Sequence, residues 1–387
     1  MKKVSIIGAG MTKFGERWDK SLKELVVEAG IKALVDSNLS GNEIEAVYGG
    51  TMAAGRLVGQ EHVGALLADA MGLNPLPSIR VEAACASGGM ALREAYMAIA
   101  SGYHDVVVVG GVEKMTDVST GDATIALAGA GDVEWEYFSG ATFPAVYALL
   151  AKKHMAEFGT TEEQMAQVAV KNHENGSKNE YAQYQNKITL EQVMKSKPIA
   201  EPLKILDCSP ITDGAAALVL ASSDIARKYS DTPIEISGVG MASDTLPLHD
   251  RASLIELNAT KVAAEKAYRQ AGVTPKEINF AEVHDCFTIA ELLAVEDLGF
   301  FPKGKGGPAT QEGETALNSK ISINTSGGLK ACGHPVGATG VKQAVEATWQ
   351  LRGEGKGRQV DNAEIGLTHN VGGSGATAIV HIMKRVN

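Results

Sequence analysis

Cys85 has the sequence setting of a nucleophile. It stands between alanines in the segment VEAACASGGMAL (residues 81–92), just before Ser87 and two glycines, and the apolar run to Ile99 predicts a buried helix. The unpaired N–H groups and the positive dipole end of a helix N-terminus stabilise a thiolate, the reactive form of cysteine. Small cysteines are also common in protein cores. This segment alone therefore leaves two interpretations open, a nucleophile and a packing residue.

A histidine in a second motif can act on that thiol. His334 lies in GHPVGATG (residues 333–340), where Gly333 and Pro335 fix the backbone ahead of a predicted helix. A histidine held in this way can take the proton of Cys85 and stabilise the thiolate as an ion pair. A lone histidine is more often structural, but the glycine and proline on either side favour the catalytic interpretation.

The motif HDCF (residues 284–287) follows a predicted apolar strand at 281–283 and adds a second thiol. Because side chains alternate along a strand, His284 and Cys286 are predicted to face the same side, whereas Asp285 is predicted to close a turn or cap a helix. Two thiols and two histidines suit acyl-thioester chemistry, in which one sulfur carries the acyl group and the other moves a proton. Taken alone, Cys286 is equally compatible with a core position.

A glycine-rich segment, HNVGGSGA (residues 369–376), is predicted to expose backbone N–H groups to a ligand or to form an ordinary turn. The remaining candidates are assigned to structure: Asn324 to pinning a loop, and Cys208 and Cys332 to packing. The four cysteines show no CxxC or CxxxxC spacing, so no metal site is predicted.

Composition and charge exclude several classes of function. With 387 residues, of which 44% are hydrophobic and 21% charged, and with 43 glycines, the chain is predicted to be an α/β protein with two sizeable cores. A net charge of −10 without a basic cluster argues against nucleic acid as a partner. No long apolar run, cleavage-site pattern or peroxisomal address is found, which predicts a cytoplasmic protein that does not enter a membrane.

The elements that must position these motifs occur twice along the chain. The segment 234–241 (IEISGVGM) matches 4–11 (VSIIGAGM), and the predicted helix 338–351 corresponds to the helix after Cys85. Such a duplication predicts two α/β halves whose motif loops meet in a cleft. The predicted division is an N-terminal half of residues 1–112 and 202–232, an inserted loop or lid domain of residues 113–201, and a C-terminal half of residues 233–387.

With Cys85, the GHP motif and the glycine loop in this order across two similar halves, the sequence resembles the thiolase family over essentially its whole length. The usual thiolase has an Asn-Glu-Ala-Phe motif and a cysteine in its C-terminal glycine loop, and here these places hold HDCF (residues 284–287) and Asn370. Both departures resemble the sterol-carrier-protein-type branch and its short archaeal members. The resemblance implies a five-layered α-β-α-β-α sandwich and a homodimer or tetramer.

The resemblance also implies a role for each site residue. Cys85 would be the acylated nucleophile, and His334 would activate it. His334 and His284 would form one oxyanion hole, and the N–H groups of Cys85 and Gly372 would form the second. Cys286 would supply the acid/base thiol that the glycine loop lacks.

The implied reaction is that of an acetyl-CoA C-acetyltransferase, which condenses two acetyl-CoA to acetoacetyl-CoA and CoA through an acyl-Cys85 intermediate and is reversible by thiolysis. No tightly bound cofactor is implied: coenzyme A thioesters are the substrates, and the residues that contact CoA are not assigned. The resemblance extends to a complex with 3-hydroxy-3-methylglutaryl-CoA synthase and a small zinc-ribbon/OB-fold protein, as in isoprenoid biosynthesis by the mevalonate pathway.

Three alternatives remain. The chain could be a degradative 3-ketoacyl-CoA thiolase of longer chains, because the sequence does not fix acyl length. It could be a β-ketoacyl synthase, but decarboxylation supplies the carbanion in that class, and Cys286 would have no function there. It could also be a non-catalytic scaffold that binds acyl-CoA or lipid, which would leave the conjunction of Cys85, His284, Cys286 and His334 unexplained.

Overall fold

The structure is a computed structural model that describes residues 1–386. Its strands are, in chain order, β1 (Val4–Met11), β2 (Ala46–Gly50), β3 (Ser78–Val81), β4 (Val106–Glu113), β5 (Pro198–Ala200), β6 (Leu203–Lys204), β7 (Gly214–Ser222), β8 (Ile234–Ser243), β9 (Phe280–Glu282), β10 (Ser322–Ile323), β11 (Ile365–Gly372) and β12 (Thr377–Arg385).

The α-helices are, in chain order, α1 (Leu22–Asp36), α2 (Ala54–Leu57), α3 (Val63–Ala70), α4 (Ser87–Ala100), α5 (Thr120–Ala128), α6 (Phe143–Phe158), α7 (Glu162–Gly176), α8 (Leu190–Met194), α9 (Ser223–Ala226), α10 (Asn258–Ala271), α11 (Thr288–Asp297), α12 (Gly306–Gln311), α13 (Gly328–Cys332) and α14 (Thr339–Arg352). Among the described residues, none of these helices combines the length and the apolar character that crossing a bilayer requires.

Ten strands form one sheet in which the second half of the chain repeats the order of the first. The order is β10-β9-β11-β12-β8-β1-β7-β4-β2-β3, so that β3, β2, β4, β7 and β1 correspond in turn to β10, β9, β11, β12 and β8. The two sets of five join through an antiparallel pairing of β1 with β8, at Ser5 with Glu235 and Ile6 with Ile234. This symmetric order confirms the duplicated halves.

Helices cover and separate the two sets of strands. Helix α1 packs on β1 and β7, and α10 packs on β8 and β12, on the outer faces. Helices α4 and α14 contact each other and strands of both sets, so they form the central layer. The apolar cores show the same layering, since the central one combines Leu92 and Ile99 of α4 with Val341 and Val345 of α14. The α-β-α-β-α sandwich is therefore confirmed.

Local patterns predict most elements to within a few residues. Helix α14 lies within one residue of the predicted helix 338–351 at each end, and α6 carries Pro144 in its first turn, where the missing N–H costs nothing. Strand β9 ends at Glu282, one residue earlier than predicted, so that residues 284–287 form a loop before α11. Strand alternation therefore does not orient His284 and Cys286, and other contacts must do so. The predicted domain boundaries stay a prediction.

Candidate active site

Cys85 lies in a strained loop immediately before α4. Ala84 has a φ of +52°, a left-handed conformation that residues other than glycine rarely adopt. The Ser87 hydroxyl holds this loop: it accepts a hydrogen bond from the Ala83 N–H at 3.0 Å and donates to the Ala84 carbonyl at 2.6 Å. Strain of this kind persists only where surrounding contacts impose it, and it is typical of functional positions.

A cavity of about 210 Å³ brings Cys85 together with Cys286 and His334. The rest of its wall is mostly apolar and includes Met115, Leu127, Phe143, Tyr147, Phe287 and Val336. Cys208 packs against the apolar cluster that includes Leu203 and Phe287 and also borders this cavity, so the structure does not contradict its assignment to structure. Apolar walls with a few convergent polar groups are typical of small-molecule sites.

The two predicted site histidines contact each other. Their ring centroids are 5.0 Å apart, and one ring nitrogen of each lies within 4.8 Å of the other and of the Cys85 sulfur. The Thr339 hydroxyl donates to the Pro335 carbonyl at 3.0 Å, so its lone pair accepts the Nδ1–H of His334 at 2.7 Å. The neutral His334 therefore keeps a free lone pair on Nε2, with which it can take the proton of Cys85.

Burial sets the protonation of the resting pair. It raises the pKa of the Cys85 thiol to about 12, although the Gly373 N–H at the sulfur and the Cys85 N–H oppose the rise. It also lowers the pKa of His334 to about 3. Both shifts favour the neutral forms, so the predicted thiolate at the helix start and its ion pair with histidine are wrong for the resting protein. Desolvation here outweighs the helix dipole.

Cys286 is coupled to a tyrosine of the inserted segment. Burial raises the pKa of the Cys286 thiol well above its usual range, and the adjacent Tyr147 hydroxyl lowers it in part. The same hydroxyl lies 3.1 Å from the Gly373 carbonyl, to which it donates. Tyr147 also stacks on Phe287, with centroids 4.6 Å apart. No sequence signal distinguished this tyrosine from the other aromatic residues of α6.

Asn370 joins the glycine loop to the rest of the site. Its Oδ1 accepts from the Gly89 N–H at 3.1 Å, and its Nδ2 lies 3.0 Å from the Cys85 carbonyl oxygen and 3.2 Å from Nδ1 of His284. The amide is buried, at 2% exposure. The residue that stands where the usual thiolase has a cysteine thus contacts both the nucleophile loop and the HDCF loop.

The glycine loop approaches the cysteine loop closely. A side chain at Gly372 would meet the Ala83 carbonyl oxygen at 2.5 Å, which explains the glycine. The next residue, Gly373, brings its N–H to the Cys85 sulfur and lines the cavity. The role of Gly372 in an oxyanion hole stays a prediction, and the N–H group that Gly373 presents to the sulfur agrees with the exposed N–H groups predicted for residues 369–376.

A buried carboxylate holds the GHP loop against the N-terminal strands. Glu113 accepts hydrogen bonds from the N–H groups of Met52 and Gly337 at 2.8 and 3.1 Å, and from the Thr51 hydroxyl at 3.0 Å. These contacts join the two halves next to His334. The sequence did not indicate this role, because an isolated glutamate at a strand end has no distinctive pattern.

Three residues that the sequence assigned to structure are structural. Asp285 caps α13 by accepting from the N–H groups of Leu329 and Lys330 at 2.7 and 3.1 Å. Asn324 pins the loop through a hydrogen bond from the Val283 N–H to its Oδ1 at 2.9 Å. Cys332 is fully buried in the central core. The three assignments are confirmed.

A buried thiol that shares a cavity with a second thiol is suited to moving an acyl group through a thioester, so the fold and the cavity define an acyltransferase. Family models agree with this class. The family model described as "Thiolase, N-terminal domain" matches residues 4–224, and the model described as "Thiolase C-terminal domain-like" matches residues 240–385. The chain therefore belongs to the thiolase family.

Similar proteins cover the whole chain. It is 54% identical to an acetyl-CoA acetyltransferase of Methanothermobacter thermautotrophicus over 100% of both chains. It is 35% identical to human sterol carrier protein 2, over 98% of this chain and 71% of that protein. Among solved structures, the Ltp2-ChsH2(DUF35) aldolase superposes with a TM-score of 0.86 at 26% identity, over 99% of this chain and 98% of the other.

Proposed function

We propose that this protein is an acetyl-CoA C-acetyltransferase that condenses two acetyl-CoA to acetoacetyl-CoA and CoA, and that also catalyses the reverse thiolysis. One observation carries the proposal: Cys85, Cys286 and His334 line the same cavity. A nucleophile and a separate acid/base thiol are what a condensation needs when no decarboxylation supplies the carbanion. The full-length similarity to a protein named acetyl-CoA acetyltransferase supports the choice of acyl donor.

The first half-reaction acylates Cys85. His334 Nε2 takes the thiol proton as the sulfur attacks the acetyl carbonyl, because both groups are neutral at rest. The oxyanion is held by the N–H groups of Cys85 and Gly372. The bond to CoA sulfur then breaks, and Cys286 gives its proton to the leaving thiolate. The products are acetyl-Cys85, a Cys286 thiolate and protonated His334.

The second half-reaction forms the carbon–carbon bond. The Cys286 thiolate removes an α-proton from a second acetyl-CoA, and the enolate oxygen accepts hydrogen bonds from His334 and His284. The carbanion attacks acetyl-Cys85, the bond to sulfur breaks, and His334 returns its proton to Cys85. Every group regains its starting protonation state, so the cycle closes without a cofactor.

The cavity of about 210 Å³ accommodates an acetyl group, and the full-length similarity to a protein named acetyl-CoA acetyltransferase favours acetyl transfer over the degradation of longer chains. A comparison of kcat/KM for acetoacetyl-CoA and longer 3-ketoacyl-CoA thiolysis tests this choice. A preference for the longer substrates would favour the degradative alternative.

Mass spectrometry after brief exposure to acetyl-CoA tests the mechanism directly. Wild type should gain an acetyl group on Cys85, Cys85→Ala should gain none, and Cys286→Ala should retain the adduct while losing acetoacetyl-CoA formation. The absence of any adduct on wild type would overturn the proposal and favour a scaffold. The surface variant Asn42→Asp serves as a control for handling and folding.

Assembly and location are part of the proposal. Strand β3 is an edge of the sheet and exposes half of Ile79, which supports a homodimer or tetramer in which two copies pair. The similar Ltp2-ChsH2(DUF35) aldolase has a second component, which supports a complex here with 3-hydroxy-3-methylglutaryl-CoA synthase and a zinc-ribbon/OB-fold protein in cytoplasmic isoprenoid synthesis. Light scattering and native co-purification test these points. A fully active monomer without partners would contradict them.

A further inference from the structure

We propose that Asn370 is a positioning residue that holds His284 in its Nε2–H tautomer, so that His284 donates a hydrogen bond to the reacting oxygen. The proposal rests on the condensation described above. The same arrangement would oppose capture of a metal ion by this set of one thiol and two imidazoles.

The orientation of the Asn370 amide is fixed by two backbone groups. The Gly89 N–H can only donate, so the atom 3.1 Å from it must be the amide oxygen. The Cys85 carbonyl can only accept, so the atom 3.0 Å from it must be the amide nitrogen. A flipped amide would lose both hydrogen bonds in a buried site. Nδ2 of Asn370 therefore faces His284 Nδ1 at 3.2 Å.

This orientation determines which nitrogen of His284 carries the proton. An amide NH2 group has no lone pair to offer, so Nδ1 of His284 must accept. A neutral imidazole has a single N–H, which must then be on Nε2. Burial and the neighbouring His334 and His369 keep the pKa of His284 well below its usual value, so the ring is neutral.

The Nε2–H group of His284 has no partner within the described residues. The atom is buried and makes no hydrogen bond, although buried N–H groups are almost always paired. Because Nδ1 is engaged by Asn370, Nε2 is the ring nitrogen that is left free, and one nitrogen of this ring lies within 4.8 Å of the Cys85 sulfur and of a His334 nitrogen. A substrate oxygen placed there would satisfy the donor, which is the arrangement of an oxyanion hole.

The adjacent histidine has the opposite tautomer. Thr339 accepts the Nδ1–H of His334, which leaves Nε2 of that ring as a proton acceptor. His334 is thus prepared to act as a base and His284 to act as a donor. Two identical side chains whose rings touch differ in function because threonine accepts from one and asparagine donates to the other.

The hydrogen bond from Asn370 to Nδ1 of His284 also opposes metal binding. The Cys85 sulfur and two imidazole nitrogens within 4.8 Å of one another are a ligand set that suits Zn²⁺. Ligation by His284 Nε2 would require the proton to move to Nδ1, where it would point at the Asn370 NH2 group. Ligating histidines normally donate that second N–H to a carboxylate or carbonyl instead. Asn370→Asp would supply such an acceptor.

The first test is the tautomer itself. Long-range ¹H–¹⁵N spectra of ¹⁵N-histidine-labelled wild type, with the His284 signals assigned from His284→Gln, should show a protonated Nε2 and an unprotonated Nδ1. Asn370→Asp should show the reverse, and Asn42→Asp, an exposed turn residue, should match wild type. A protonated Nδ1 in wild type would overturn the proposal even if no variant folds.

The second test measures function and metal binding in the same variants. Asn370→Asp should still acetylate Cys85, while kcat for condensation falls by about 10²- to 10³-fold, the usual effect of losing one oxyanion donor. Zn²⁺ should inhibit its acetylation at a concentration about 10- to 100-fold lower than in wild type. Unchanged condensation and Zn²⁺ sensitivity would overturn the proposal. Failure of wild type to acetylate Cys85 would instead overturn the proposed function, and the spectra would remain informative.

Discussion

The imidazole rings of His284 and His334 meet edge to face, with centroids 5.0 Å apart and planes at 85°. Both histidines belong to the second half of the chain, whereas Cys85 comes from the first half. The position of the two rings relative to each other is therefore set within one half. Their position relative to the Cys85 sulfur depends on how α4 and α14 pack between the halves. The chemistry of the site is sensitive to contacts along this interface.

Thr339→Val should slow acetylation of Cys85. Without the threonine oxygen, Nδ1 of His334 loses its acceptor and Nε2 is no longer kept free as a base, which we expect to reduce the rate about 10²-fold. Single-turnover acetylation followed by mass spectrometry measures the effect. Thr348→Val, a buried threonine on the same helix that bonds only to the Ala344 carbonyl, should change it little. Equal rates in both variants would refute the role of Thr339.

Tyr147→Phe should separate the two half-reactions. The phenyl ring retains the stacking on Phe287, but the hydroxyl that lowers the pKa of Cys286 is lost. Acetylation of Cys85 should persist, whereas condensation should fall about 10-fold because the Cys286 thiolate loses the neighbouring hydroxyl, which can turn from the Gly373 carbonyl to donate to it. Tyr103→Phe, at a side chain that is 80% exposed, is the matched control. The prediction fails if both half-reactions decline together.

Stability should fall in mild acid because buried histidines are neutral in the folded state. Burial lowers the pKa of His334, His369 and His381 to about 3, whereas in the unfolded chain they titrate near their ordinary values. The folded state thus binds fewer protons, and its stability is complete above a pH of about 6.5 and declines toward 3. Each histidine contributes about 1.4 kcal/mol per pH unit in that window.

Calorimetry between pH 7 and pH 5 measures this dependence. The Tm should decrease as the pH falls, and unfolding at pH 5.5 should take up protons from the buffer. The control variant Asn42→Gln, at an exposed turn residue without a titratable side chain, should leave the slope unchanged. A Tm that is constant over this range would contradict the conclusion that these three histidines are buried in their neutral form.

Gly340→Ala should destabilise the contact of α14 with α4. An added methyl group would lie 2.1 Å from the Gly89 nitrogen and 2.2 Å from Oδ1 of Asn370, so both helices and the amide must shift. Overpacking of this kind costs about 1–3 kcal/mol in the free energy of unfolding. Urea unfolding measures it, and activity should fall as Asn370 moves. Gly121→Ala in α5, whose nearest neighbour is 3.6 Å away, should be neutral or stabilising.

Local sequence patterns were sufficient to predict most of the fold. Helical periodicity and β-branched runs depend on neighbouring residues, so they predicted α14 and the repeat of β1 in β8 closely. The duplication then implied two similar halves with a cleft. The order of the motifs was sufficient to identify four candidate site residues, and the structure brings them together: Cys85, His284, Cys286 and His334.

Tertiary packing decided how those candidates behave. Asn370 lies 281 residues from Gly89 and 285 residues from Cys85, and Tyr147 lies 226 residues from Gly373, so no spacing rule connects them. The sequence predicted a thiolate at Cys85 from a helix start, but desolvation by the surrounding fold keeps the thiol neutral. Residue type and order are local and determine which groups are present. Burial and hydrogen-bond partners are set by segments distant in sequence, and they determine which atom of each group carries the proton.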